Sequence, residues 1–135
     1  VGYYIGGMKE KDLKESEEKK IIIATYAMAE EALDIKTLTT LIMATPRVDV
    51  RQAVGRILRS VTGERLVVDI IDQHDMFQRH WAKRRAWYNK QKFTIYFTDS
   101  EKYSNNEWTL LRKNKKLCYK KKDISELLLQ GKCLY

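Results

Sequence analysis

The stretch Asp49-Val-Arg-Gln-Ala-Val-Gly-Arg-Ile-Leu-Arg59 decides the fold, because its apolar residues follow the period of a helix. Apolar side chains recur in it every three or four residues, at Val50, Ala53, Val54 and Ile57. With 3.6 residues per turn, these positions form one stripe along the helix. The pattern therefore predicts an amphipathic helix whose apolar face packs on the rest of the domain.

A different side of the same helix carries a polar row, formed by Gln52, Arg56 and Arg59. Gly55 stands mid-helix, where glycine costs ~1 kcal/mol relative to alanine, so we expect a ligand or another backbone to approach it closely. Forked guanidiniums beside a glycine suit a polyphosphate. The alternative is that Asp49 and Gln52 form a capping box and the arginines are merely solvated.

Apolar runs alternate with polar, helix-like segments along the first two-thirds of the chain. Strands are predicted at Val1–Ile5, Ile21–Thr25, Thr39–Thr45 and Arg65–Asp72, with a last edge strand at Phe93–Phe97. A short, charged helix is predicted at Met8–Ser16. Unbroken apolar runs are typical of strands covered on both faces, and their alternation with helices predicts an α/β domain with a mostly parallel sheet.

The longest helix is predicted at Asp75–Gln91. Phe77, Trp81 and Tyr88 share one stripe, which we expect to pack on the sheet. Cations dominate the remaining surface, at Arg79, Lys83, Arg84, Arg85 and Lys90. Aromatics interleaved with cations can also form a stacking platform for single-stranded nucleic acid, and both interpretations stay open.

Two strand ends carry residues suited to ligand contact. Gly6 and Gly7 follow the first strand, and paired glycines permit a tight turn and close backbone approach. Thr25 ends the second strand, and open α/β sheets bind ligands at the carboxyl ends of their strands. The alternatives are a simple turn at the glycines and a capping role for Thr25 at the turn Ala29–Leu33.

The charge balance favours a polyanionic partner. The chain has 26 Lys and Arg against 18 Asp and Glu, for a net charge of +8, which fits nucleic acid or a phosphate-rich ligand. No apolar run approaches the ~20 residues needed to span a bilayer, so no membrane partner is expected. The chain begins with Val1, and we expect it to be a piece of a larger protein.

No metal site is expected from the acidic and histidine residues. Asp69 and Asp72 flank a strand end, and Asp75 is placed to cap the following helix. His74 and His80 lack the i, i+4 pairing of a zinc-binding helix.

The composition changes from residue 99 onward, which predicts a basic C-terminal extension over 99–135. Residues 99–106 are linker-like. Trp108–Arg112 and Leu117–Lys122 could pair as a hairpin, and Asp123–Gln130 is predicted to form a short helix.

Two segments resemble motifs of superfamily-two helicases. Gln52-Ala-Val-Gly-Arg-Ile-Leu-Arg59 closely resembles motif VI (Q-x-x-G-R-x-x-R), and Ala24-Thr-Tyr-Ala-Met-Ala-Glu-Glu-Ala-Leu-Asp-Ile35 resembles motif V at the customary separation. The resemblance covers residues 1–98 and is closest to the helicases of large cytoplasmic DNA viruses, including the poxvirus transcript-release helicase type. It implies that 1–98 form the second RecA-like domain, incomplete at its N-terminus, with three layers and a mostly parallel central sheet flanked by helices.

The resemblance implies nucleotide contacts for five residues. Arg56 and Arg59 would be catalytic arginine fingers that reach the γ-phosphate of ATP in the cleft between two domains. Gln52 and Gly55 would lie at the nucleotide, and Asp34 would hydrogen-bond the ribose or order the interdomain site.

The resemblance also implies that Thr25, Gly6 and Gly7 contact the backbone of a nucleic acid. One residue departs from the family pattern, because Glu31 stands where many members have glycine. A carboxylate is therefore expected close to the phosphate path.

The implied activity is that of the C-terminal half of an ATP-dependent helicase or translocase in viral transcription or replication, in the host cytoplasm or virion. ATP and Mg²⁺ would be held mainly by the N-terminal RecA-like domain, because this chain has no G-x-x-x-x-G-K-[ST] loop and no acidic pair after a strand. This fragment alone is expected to hydrolyse no ATP. The expected partners are single- or double-stranded DNA or RNA, the N-terminal RecA-like domain and the viral transcription machinery.

Two other classes of function stay open on the sequence. The chain could be a non-catalytic nucleic-acid-binding module derived from a helicase domain. It could also be a protein-interaction domain that docks through residues 99–135.

Overall fold

The computed structural model describes residues 1–31, 35–45, 47–58, 64–112 and 133–134. The strands in this part of the chain are β1 (Gly2–Tyr4), β2 (Ile21–Ala24), β3 (Thr40–Met43), β4 (Leu66–Asp69), β5 (Ile95–Phe97), β6 (Thr109–Arg112) and β7 (Cys133–Leu134). The helices are α1 (Glu10–Glu17), α2 (Tyr26–Glu31), α3 (Arg51–Leu58), α4 (Asp75–Lys90) and α5 (Ser100–Ser104).

Helices and strands alternate along the chain, so the predicted α/β class is confirmed. Five strands form one sheet in the order β1-β2-β7-β3-β4, and the neighbouring strands in it run parallel. A second sheet consists of β5 and β6, which run antiparallel. The prediction of a mostly parallel sheet thus describes the larger sheet only.

The core lies between α3 and the strands of the larger sheet. The predicted apolar stripe of α3 is confirmed, because its four residues are all at most 2% exposed: Val50, Ala53, Val54 and Ile57. From the sheet, Ile22, Leu41 and Met43 are buried against the same cluster. Burial alternates along β2, where Ile22 is fully buried and Ile23 is 41% exposed, so the expected cover on both faces is wrong for this strand.

Strand β1 packs closely on α1 because it begins with a glycine. A Cβ added to Gly2 would lie 2.7 Å from the backbone oxygen of Ser16. The amide of Tyr3 donates to Ser16 Oγ at 3.2 Å, and the Tyr4 hydroxyl donates to Glu17 Oε1 at 2.8 Å. Burial and the Glu17 carboxylate together raise the pKa of Tyr4 to about 12.

Helix α4 spans the predicted range to within one residue, and two residues of its predicted aromatic stripe face the core, whereas Phe77 packs beside His74 and His80. Tyr88 is buried, and Trp81 packs against the core cluster. Two predictions about this helix are wrong. The cap is His74, whose side chain accepts from the Met76 amide, and Asp75 is the first helical residue. Arg84, assigned to the solvated surface, is 1% exposed.

Strand β5 does not extend the larger sheet as an edge strand. After α4 the chain turns at Lys92, with φ 63°, and the ring of Phe93 packs edge-on against Tyr88 at 5.6 Å. These contacts hold β5 beside the end of α4, where it pairs with β6. The segment Trp108–Arg112 was predicted to pair with Leu117–Lys122. Among the described residues, its strand β6 pairs with β5.

The predicted C-terminal extension departs from expectation at two places. Its linker-like start contains α5, because the Asp99 carboxylate accepts the Lys102 amide at 2.9 Å and caps a short helix. Near its end, Cys133–Leu134 form β7 between β2 and β3. The second strand of the predicted hairpin and the helix Asp123–Gln130 lie outside the described residues. The division into 1–98 and 99–135 stays a prediction.

No helix in the described residues is both long enough and apolar enough to cross a bilayer.

Candidate nucleotide and nucleic-acid site

Arg56 lies on α3 and reaches the C-terminal end of α2. Its Nη2 and Nε atoms donate to the backbone oxygen of Glu30, at 2.6 and 3.2 Å. The last carbonyls of a helix are natural acceptors for a guanidinium, because they have no partner within the helix and carry the negative end of its dipole. The contact joins the motif VI-like helix to the motif V-like segment.

The other residues of the predicted nucleotide set are only partly described. Gln52 is exposed on α3, one turn before Arg56. Gly55 is half-buried, and no described atom lies within 4 Å of a Cβ built at this position. Internal packing among the described residues therefore does not account for the glycine. Arg59 and Asp34 lie outside the described residues, and their roles stay predictions.

Glu30 is also fixed through its side chain. Its Oε2 accepts from Arg47 Nη2 at 3.1 Å, and the two side chains are 14% and 38% exposed. The guanidinium of Arg47 stacks over the ring of Tyr26, 4.8 Å from its centroid. The Tyr26 hydroxyl donates to the backbone oxygen of Thr45 at 2.8 Å, and burial raises the pKa of this hydroxyl.

Thr25 is exposed at the carboxyl end of β2, as predicted from its position in the sequence. Its amide donates to the Tyr4 oxygen at 3.2 Å, and its own carbonyl accepts the Ala29 amide at 2.9 Å. The backbone of Thr25 therefore begins α2 directly at the sheet edge. A cavity of about 400 Å³ opens beside it, lined by residues of β2, α2 and β3, by Ala53 of α3 and by Thr45, which follows β3.

Gly6 and Gly7 form an exposed turn after β1, the strand next to β2. Gly7 has φ +82°, which residues with side chains rarely adopt, so this position needs glycine for the turn itself. Nothing described lies within 4 Å of a Cβ at either position, so both backbones are accessible. Because β1 and β2 are parallel, the glycines and Thr25 lie at the same edge of the sheet.

A buried ion pair lies at the same end of β4, although its arginine, Arg84, was expected on the solvated surface of α4. Arg84 Nε and Nη2 donate to the two carboxylate oxygens of Asp69 at 2.8 and 2.9 Å, and Arg84 Nη1 donates to the backbone oxygen of Arg47. The Tyr88 hydroxyl donates to Asp69 Oδ2 at 3.1 Å, and burial followed by the Asp69 charge raises the pKa of Tyr88. The helical spacing could have indicated that Arg84 is buried, because this residue shares the stripe of Trp81 and Tyr88.

Glu31 is the residue that departs from the family pattern. The structure describes only its backbone, which ends α2. Its side chain lies outside the described residues, so its position relative to a phosphate path stays a prediction. The three aspartates singled out near α4 have separate structural tasks: Asp69 binds Arg84, Asp72 accepts the His74 amide, and Asp75 begins α4. Among the described residues, no three His, Cys, Asp or Glu side chains are grouped so as to hold a metal ion.

Comparison with known proteins finds relatives in several large DNA viruses. The chain is 43% identical over 114 residues to a protein of Acanthamoeba polyphaga mimivirus that is provisionally named an ATP-dependent RNA helicase. It is 32% identical over 114 residues to proteins of African swine fever virus with the same provisional name. These alignments include 80% and 79% of the chain but 22% of each relative, so the chain spans about a fifth of their length.

The mimivirus alignment includes 80% of the 135-residue chain, which is more residues than the range 1–98 contains. The likeness to this relative therefore continues beyond residue 98. The chain is also 33% identical over 72 residues to an uncharacterised protein of Invertebrate iridescent virus 3, covering 69% of that protein and 53% of the chain. No family model and no solved structure matches the chain. These relatives show that the chain belongs to a helicase-related protein family of large DNA viruses.

Proposed function

We infer that this chain is the second RecA-like domain of a superfamily-two helicase or translocase, and that it forms the C-terminal half of that ATPase. The observation that carries the proposal is the contact of Arg56 with the Glu30 carbonyl. It links the helix that resembles motif VI to the end of the segment that resembles motif V. The helicase names of the viral relatives support the same reading.

ATP would bind in the cleft between this domain and the preceding one. Arg56 and Arg59 would donate to the γ-phosphate and stabilise the charge that develops during phosphoryl transfer. Gln52, Gly55 and Asp34 would line the nucleotide. A forked guanidinium matches phosphate oxygens in geometry and charge, so the donor at Arg56 fits this substrate.

Mg²⁺ would neutralise the β- and γ-phosphates, and its ligands would come mainly from the preceding domain. The described residues support that division, because the carboxylates of Asp69 and Asp72 already bind Arg84 and the His74 amide. This chain's own contribution would be to supply and orient cations. For this reason the isolated chain is expected to hydrolyse no ATP.

The nucleic acid would run along the carboxyl edge of the larger sheet. Thr25 would donate its hydroxyl to a phosphate, and the accessible backbone of Gly6 and Gly7 would line the same path. The net charge of +8 would strengthen binding to any phosphate backbone. RNA is the first substrate to test, because two relatives carry the name RNA helicase, with DNA as the comparison. Viral transcription, in the host cytoplasm or the virion, is the process we assign.

The test is ATP hydrolysis by the full-length protein that carries this chain, measured with no nucleic acid, with single-stranded RNA and with single-stranded DNA. We expect turnover that nucleic acid stimulates, with the better strand identifying the substrate. The 135-residue chain measured alone should be inactive. Sustained turnover by the purified chain would contradict the two-domain assignment.

A second candidate is a non-catalytic nucleic-acid-binding module, and the exposed cations of α4 favour it. Arg79, Lys83, Arg85 and Lys90 are all exposed on this helix. The same experiment separates the two functions. A full-length protein that turns over no ATP, yet binds nucleic acid with an affinity that falls steeply with salt, is the binding module.

A further inference from the structure

We propose that Glu30, Arg47 and Tyr26 are positioning residues that hold the guanidinium of Arg56 in place for ATP hydrolysis, an inference that rests on the function proposed above. The three side chains form one connected set of contacts behind Arg56. Motif likeness alone gives none of them a role.

The first contact fixes the guanidinium of Arg56 itself. Two of its nitrogens donate to one backbone oxygen, that of Glu30. A guanidinium is a rigid fork, so two donors on one acceptor restrict both its distance and its plane. Because the acceptor belongs to the main chain, the position of Arg56 depends on where the end of α2 lies.

The second contact fixes the end of α2. The carboxylate of Glu30 is 14% exposed and pairs with Arg47 at 3.1 Å. Partial burial lowers the local dielectric constant and the screening by salt, so this pair is worth more than a solvated one. By contrast, Lys14 and Glu10 on α1 form an ion pair whose side chains are 71% and 82% exposed.

The third set of contacts holds Arg47 at both of its ends. Its guanidinium lies over the Tyr26 ring, and the Tyr26 hydroxyl is bound to the Thr45 carbonyl. Its backbone oxygen accepts from Arg84, which is bound to Asp69 at the end of β4. The pair Glu30–Arg47 is thereby fastened to the larger sheet and to α4, and α2 cannot shift without breaking it.

A catalytic group displaced by about 1 Å can lose ~100-fold in rate. Glu30→Gln removes the charge that binds Arg47 but keeps both the backbone carbonyl and the arginine finger. In the full-length protein, we expect this substitution to lower kcat by about 10- to 100-fold. KM for ATP should change little, because the missing interaction acts in the transition state and not in ground-state binding.

The experiment compares four full-length proteins under saturating ATP and nucleic acid: wild type, Glu30→Gln, Arg56→Ala and the double variant. Glu10→Gln is the matched control, since it removes one carboxylate charge from an exposed ion pair on α1. Single-turnover measurements with labelled ATP extend the assay to the slow variants. Circular dichroism on heating shows whether each variant is folded.

If Glu30 acts through Arg56, Glu30→Gln lowers kcat in the wild-type background and has no further effect in the Arg56→Ala background. An equal loss in both backgrounds, or no loss in either, overturns the positioning role while the proposed function stands. If Arg56→Ala itself leaves kcat unchanged, the proposed function fails. The two failures are thus distinguished.

Two milder variants test the same inference if Glu30→Gln does not fold. Arg47→Lys keeps the charge but loses the planar fork that stacks on Tyr26. Tyr26→Phe keeps the ring and removes only the hydrogen bond to Thr45. Each is expected to reduce kcat severalfold in the wild-type background only, and unchanged kcat in both would overturn the proposal.

Discussion

Arg84 lies on the aromatic stripe of α4, between Trp81 and Tyr88, and its charged guanidinium is buried inside the protein. Three of its nitrogens donate, two to Asp69 and one to the backbone of Arg47. A cation so deeply buried is tolerated only when its donors are paired, because desolvation of an unpaired charge is expensive. This residue therefore connects β4, α4 and the segment that precedes α3.

Replacing Arg84 by Met should destabilise the chain by about 3–5 kcal/mol. The substitution fills most of the volume but leaves the Asp69 carboxylate, whose side chain is 11% exposed, with the Tyr88 hydroxyl and without its cation. Urea denaturation of the chain measures the difference. Arg85→Met is the control, because Arg85 is exposed and should change stability by no more than about 0.5 kcal/mol. Equal effects of the two substitutions would show that the buried pair carries no special weight.

The elements themselves show which parts of the fold are local in origin. Strands β1 to β4 and helices α3 and α4 lie where apolar runs and helical spacing predicted them, and α1 lies within two residues of the range predicted from its charged composition. The antiparallel pairing of β5 with β6 could not be predicted in this way, since it depends on the turn at Lys92 and on contacts with α4. The insertion of β7 between β2 and β3 joins residues more than ninety positions apart, and no local pattern specifies it.

In the candidate site, too, some features follow from the sequence pattern and others depend on tertiary packing. The exposure of Gln52 on α3 and the position of Thr25 directly after β2 follow from the sequence pattern, whereas Arg59 of the same polar row lies outside the described residues. The contact of Arg56 with Glu30 and the pairing of Arg84 with Asp69 could not be predicted from sequence, because both depend on how the helices pack with the rest of the fold. Spacing specifies a helix face, but the partner of that face is a property of the tertiary structure.

The close contact between β1 and α1 predicts that a side chain at position 2 destabilises the chain. Gly2→Ala should destabilise the chain by about 1–3 kcal/mol, because the new Cβ would lie 2.7 Å from the Ser16 backbone oxygen and push α1 away from the sheet. The change in melting temperature measures it. Gly6→Ala is the matched control, since nothing described lies within 4 Å of a Cβ there. A Gly2→Ala chain as stable as the control would contradict the close packing.

At the scale of the whole molecule, the parallel sheet collects the candidate residues at one edge. Thr25, the turn Gly6-Gly7 and the Asp69–Arg84 pair all follow the carboxyl ends of parallel strands, where open α/β sheets bind ligands. Arg56 is bound to α2, which begins at that edge. The chain as a whole carries a net charge of +8, which suits phosphate-bearing partners.

We propose that Arg56 completes an ATP site shared with a preceding domain. The most direct measurement is kcat for ATP hydrolysis by the full-length protein, comparing Arg56→Ala with Arg51→Ala, an exposed arginine on the same helix that pairs with Asp49. We predict that Arg56→Ala lowers kcat by ~10³- to 10⁵-fold while nucleic-acid binding is retained, and that Arg51→Ala leaves kcat close to wild type. Equal kcat values for the two variants would contradict the claim.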